Sequence, residues 1–217
     1  MTEEMMIDLN SIDLRLDDHR LEDAKEDLEI AIARFIEAII NQINSGEVRD
    51  IYSFEDSEAE KFINSYSVGL SKKLTSDFAK ETLDSLRHAF VSFAFNGLHQ
   101  LFTRQENEVW YPKIVLTKEL IPNDKETLDE EFLIFRGCSK SELESGNFGQ
   151  SWSTCENCAT EFAFKHYASQ DWFNPLDRIV LWATYYRENV LFSNQTDFGE
   201  YEVAVNTGLL DDVTQYK

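Results

Sequence analysis

The period of the apolar residues changes once along this chain, and that change limits the fold more than any other feature. From Leu21 onward, Ala24, Leu28, Ala31, Phe35, Ile39 and Ile43 recur at three- and four-residue steps, which is one face of a helix. The spacing predicts a helix over 18–45, with Gly46 as the residue that ends it. A second long helix is expected over 76–104, with Ser76 as N-cap and Phe78, Leu83, Leu86, Phe90, Phe93 and Leu101 inward. A shorter helix is expected between them, over 58–74. After Asn107 the pattern turns to short β-branched and aromatic runs, at 109–116, 132–135, 178–186 and 200–205, each of strand length. One helix interrupts them at 159–168, with Ala159, Phe162, Ala163 and Tyr167 on one side, and loops are expected at 146–149 and 194–199. The fold class is therefore α+β, with a helical part over 1–106 and a small β-rich part over 107–217.

Composition excludes several classes. The 217 residues are 42% hydrophobic and include 16 Phe, enough for a packed core, so global disorder is excluded. No apolar run approaches the roughly 20 residues of a membrane span. The start lacks the basic and apolar regions of a signal peptide, so a cytoplasmic site is expected, in the producing cell or in a host cell. There are 41 acidic and 20 basic residues, a formal charge of −21. That balance opposes direct binding of nucleic acid or of an anionic membrane, and it suits a partner with a basic surface. Residues 1–30 alone hold eleven acidic and three basic side chains. Phosphate-loop, dinucleotide-fold and nucleophile-elbow motifs are absent from the sequence.

Three short stretches can carry chemistry. In Glu200-Tyr201-Glu202 the period of two would put both carboxylates on one face of a strand. Read alone, it is a solvent-facing strand edge. In Phe135-Arg136-Gly137 an Arg beside a bare backbone can fork onto a phosphate or carboxylate while a ligand comes close. Read alone, it is a surface Arg and a turn. Ser151-Trp152-Ser153-Thr154, followed by Ala159, Phe162 and Ala163, is a hydroxyl-bearing strand with a helix that packs back on it.

In this order and spacing the three stretches resemble the arginine–serine–glutamate class of mono-ADP-ribosyltransferases, and the Ser-Trp-Ser/Thr form looks like that of bacterial and phage members. The resemblance covers about residues 130–212. It departs from the commonest pattern at Trp152, where the family usually has Thr, and it leaves the first hundred residues unexplained. It implies an ADP-ribosyltransferase-like core, and NAD as co-substrate with no metal. The acceptor would be a protein, with arginine the first expectation. By the family pattern Glu202 stabilises the positive charge that develops at the ribose as nicotinamide leaves, and Ser151 orients it. Glu200 faces the acceptor, and Arg136, Gly137, Ser151 and Ser153 hold NAD. Arg136, Ser151 and Glu202 should then converge on one cleft, and a Glu202 on the sheet face opposite Arg136 would remove the enzyme reading. Hydrolysis of NAD is a close variant of the reaction. The alternative is a non-enzymatic acidic protein that fills a basic, nucleic-acid-binding groove of a partner.

Cys155-Glu-Asn-Cys158 is a C-x-x-C at a predicted helix start, where a thiolate is favoured. Cys138 and His166 could complete a zinc site with it, although no second C-x-x-C supports one. No Pro or Gly punctuates the motif as in redox enzymes, so neither metal nor redox chemistry is expected of it. The odd count of three cysteines gives no disulfide framework.

Overall fold

The computed structural model describes residues 5–45, 55–94, 110–121, 123–170, 173–195 and 201–216. Its chain divides into two compact units, Met1–Val115 and Leu116–Lys217. The whole is mixed α and β, with a helical N-terminal region followed by an antiparallel sheet.

In the first unit a strand, β1 (Met5–Asp8), precedes α1 (Asn10–Leu16), α2 (Lys25–Ser45), α3 (Glu58–Ser71) and α4 (Asp77–Ala94). β1 pairs with β2 (Lys113–Leu116) in a two-stranded sheet. Neither β1 nor α1 was expected from the pattern. The single helix expected over 18–45 is divided, because Asp18 leaves the helical region and its carboxylate takes the Arg20 backbone N–H, opening a 3-10 turn at His19–Leu21. The apolar stripe is buried along most of its length: Leu21, Ala24, Leu28, Ala31, Phe35 and Ile39 are in the core, and Ile43 is half-buried. α3 starts at a reciprocal capping box, with Glu60 N–H donating to Ser57 Oγ and Ser57 N–H to Glu60 Oε2. Leu83, Leu86 and Phe90 of α4 are buried, and Phe90 meets Phe35 with ring centres 5.6 Å apart. Gly46, Leu101 and the side chain of Phe93 lie outside what the structure describes.

Among the described residues of the second unit, six strands form one antiparallel sheet. They are β3 (Glu131–Ser139), β4 (Ser151–Ser153), β5 (Arg178–Tyr186), β6 (Val190–Asn194), β7 (Glu202–Val205) and β8 (Thr214–Gln215), in the order β6-β7-β4-β3-β5-β8. α5 (Lys140–Ser145) follows β3, and α6 (Glu156–Phe164) follows β4. The alternation of β3 and β5 sorts side chains onto two faces. One face carries Ile134, Cys138, Trp152, Leu181, Ala183, Tyr185 and Val203. The other carries Phe135 and Val180, covered by Ala159 and Ala163 of α6. Gly137 is what lets α6 sit there. A Cβ on Gly137 would lie 2.2 Å from the Ala159 carbonyl oxygen and 2.4 Å from the Ala163 nitrogen.

Candidate active site at the β4–β7 seam

The register puts Ser153 opposite Glu202 and Ser151 opposite Ala204. Partners in an antiparallel pair share a face, so Ser151, Ser153 and Glu202 lie together on the face that α6 covers. There Ser151 Oγ donates to Glu202 Oε1 at 2.7 Å. Glu202 is 4% exposed and β7 is an interior strand. The strand-edge reading of the E-x-E motif is therefore overturned for Glu202. A buried carboxylate costs free energy unless hydrogen bonds and charges meet it, which gives the Ser151 hydroxyl a definite job.

The strand begins later than the alternation suggested. Tyr201 has φ of 51°, a left-handed conformation that a bulky side chain adopts only under constraint. β7 thus starts at Glu202; Glu200 lies outside the described residues. The constraint is visible around Tyr201. Its carbonyl accepts the Thr154 N–H at 2.9 Å, Thr154 Oγ1 donates to Gln195 Oε1 at 2.7 Å, and Gln195 Nε2 donates to the Glu202 carbonyl at 3.1 Å. Thr154 and Gln195 therefore fix the backbone on which the carboxylate stands. Thr154 belongs to the hydroxyl-bearing stretch singled out in the sequence, without a role of its own there; Gln195 was not singled out, and it carries no local pattern that would have shown it.

Arg136 is placed differently from expectation. In β3 it pairs with Leu181 and alternates with Phe135, so it leaves the strand on the face opposite Glu202. Its guanidinium nevertheless reaches the seam, donating from Nη1 to the Ser151 carbonyl at 2.6 Å. Glu142 of α5 grips the rest of the fork, taking Nε at 2.9 Å and Nη2 at 3.0 Å. Both side chains are largely buried, 13% and 17% exposed. The expected convergence on one cleft is therefore not met. Arg136 and Glu202 leave opposite sheet faces, the arrangement named above as counting out an enzyme in which Arg136 holds NAD, so any catalytic reading has to stand on Ser151 and Glu202 without it. Arg136 touches Ser151 only through the backbone carbonyl, and Glu142 pairs with its guanidinium.

Glu142 also takes the Gly149 N–H at 3.2 Å, and a side chain on Gly149 would collide with the Arg136 guanidinium at 2.4 Å. Ser139-Lys-Ser-Glu142 has the spacing of a capping box. The Ser139 side chain makes no cap bond, and Glu142 turns to Arg136 instead.

The remaining expected residues are committed elsewhere. The open side of Gly137 is filled by α6, so its missing side chain serves helix packing rather than ligand approach. Ser153 is buried, and its Oγ accepts the Cys155 N–H at 3.0 Å. Among the described residues no group of three or more His, Cys, Asp and Glu is placed to hold a metal ion. No helix among them is long and apolar enough to cross a membrane.

No protein-family model, no curated protein and no solved structure matches this chain.

Proposed function

We propose that the second unit cleaves NAD and transfers its ADP-ribose to a protein acceptor, with arginine the first candidate. One observation carries the reading: a buried glutamate on an interior strand, held by the hydroxyl of a serine on the neighbouring strand at 2.7 Å. That pair occurs at the positions where the resemblance expects the charge-stabilising carboxylate and its orienting serine. In this reading the Glu202 carboxylate accepts a hydrogen bond from the ribose 2′-hydroxyl. It also stabilises the positive charge on the ribose as the bond to nicotinamide breaks. The guanidinium nitrogen of the acceptor, or water, then takes the ADP-ribosyl group.

Ser151 contributes by holding one rotamer of Glu202 before substrate arrives. Arg136 acts through Ser151: with its fork taken by Glu142 and its side chain on the opposite face, it positions β4 rather than gripping the diphosphate. The test is incubation of the full chain with tagged NAD and candidate protein mixtures. Label appears on protein with the wild type and is lost in Glu202→Gln. Absence of label and of free nicotinamide with the wild type removes the proposal.

A further inference from the structure

Cys155 and Cys158 stand at the start of α6 and take no part in the Ser151–Glu202 pair. Cys155 is the N-cap of the helix, with extended backbone, and its Sγ accepts the Cys158 N–H at 3.3 Å. A sulfur in that position lies at the first turn of the helix and receives a backbone donor. Cys158 lies one turn further along. Burial, and then the neighbouring Cys155, push its thiol up to about 12. Both side chains are half-buried, whereas the third cysteine, Cys138, is sealed in the core. The raised Cys158 thiol is the slower nucleophile, so Cys155 is the attacking partner and Cys158 the resolving one, in a C-x-x-C whose first sulfur already meets the second cysteine's N–H.

We propose that Cys155 and Cys158 form a reversible dithiol–disulfide couple that exchanges with low-molecular-weight disulfides of the glutathione type. The Cys155 thiolate attacks one sulfur of the reagent, forming a mixed disulfide and expelling one thiolate. With Cys155 now neutral, Cys158 gives up its proton and attacks the Cys155 sulfur, expelling the second thiolate. Two electrons pass from the pair to the reagent, the two cysteines lose two protons, and one intramolecular S–S bond remains. The couple lies beside the candidate site, since the Cys155 N–H holds Ser153 and Ser153 is the strand partner of Glu202.

The experiment needs no NAD, so its failure is separate from failure of the transferase reading. The full chain is incubated with oxidised glutathione, and its thiols are counted by mass after alkylation in denaturant. The wild type should fall from three thiols to one without keeping glutathione, and return to three with a reducing agent. Cys158→Ser should trap one glutathione on Cys155 at least about tenfold faster than Cys155→Ser gains one on Cys158. Three thiols persisting in the wild type, or equal rates in the two variants, would overturn the couple.

Discussion

Ser151 has one hydroxyl proton, and in this fold it goes to a carboxylate rather than to backbone or solvent. Ser151→Ala keeps β4 and removes the donor, so Glu202 gains rotameric freedom that it now lacks. Nicotinamide release should fall roughly tenfold to a hundredfold, since small misplacements of a reacting group cost that much. The drop should appear in kcat rather than KM. Loss of NAD binding instead would mean that Ser151 contacts the substrate directly. A second residue sets an alkaline limit on stability. Tyr185 is 1% exposed, and its hydroxyl takes the Asn206 N–H at 2.9 Å and lies 3.1 Å from the carbonyl oxygens of Asn189 and Asn206. Burial pushes this phenol up to about 12. A raised pKa favours the protonated form in the fold, so the stabilisation is full below the unfolded value of about 10 and is lost as pH rises toward 12. Denaturant midpoints should fall over that window in the wild type and less steeply in Tyr185→Phe.

At the scale of elements, the contact of α6 on β3 depends on a missing side chain. Gly137→Ala forces a methyl against helix backbone, which cannot swing aside as a side-chain tip would. The second unit should lose about 3 kcal/mol, read as a lower denaturant midpoint, whereas Gly69→Ala meets open space on α3 and should be close to neutral or stabilising.

The same elements show what the sequence could tell. The apolar stripe of α2, the 178–186 strand and the helix after β4 were legible because each has a period that burial imposes, although that helix ends at Phe164 rather than 168. The pairing of Ser151 with Glu202 was legible from motif order alone. The break at Asp18 was not, because a carboxylate that captures Arg20 reads as one more charge on a helix face. Nor was the Glu142 grip on Arg136, since Glu three residues after Ser139 reads as a cap. The side of β3 from which Arg136 leaves required the β3–β5 register.

The whole molecule carries −21, which slows approach to acidic surfaces and speeds approach to basic ones. The densest run of acids is partly answered within the fold: Lys25 pairs with Asp17, and Arg20 with Asp18 at 2.5 Å. Arg20 holds the Asp18 carboxyl well below the usual carboxylate range, first through its side chain and then through its backbone N–H. Exposed Glu22 and Asp23 therefore carry more of the outward field than those two. If this surface steers a basic acceptor, labelling of that protein should slow severalfold as salt shortens the screening length toward about 8 Å and below. Labelling of a small guanidino compound should change little, and Glu22→Gln with Asp23→Asn should imitate salt on the protein acceptor alone. An unchanged rate in that double variant at low salt would reduce the patch to a solvated helix face.

The central claim is that Glu202 stabilises positive charge on a ribose, and the most direct measurement is nicotinamide release from NAD by the wild type and by Glu202→Gln. The substitution keeps shape and hydrogen-bonding capacity and removes the charge. The account predicts steady release by the wild type and a rate about a hundredfold lower or less in the variant, with both proteins folded by circular dichroism. Equal rates in the two proteins, or no release by a folded wild type with or without a guanidino acceptor, would contradict it.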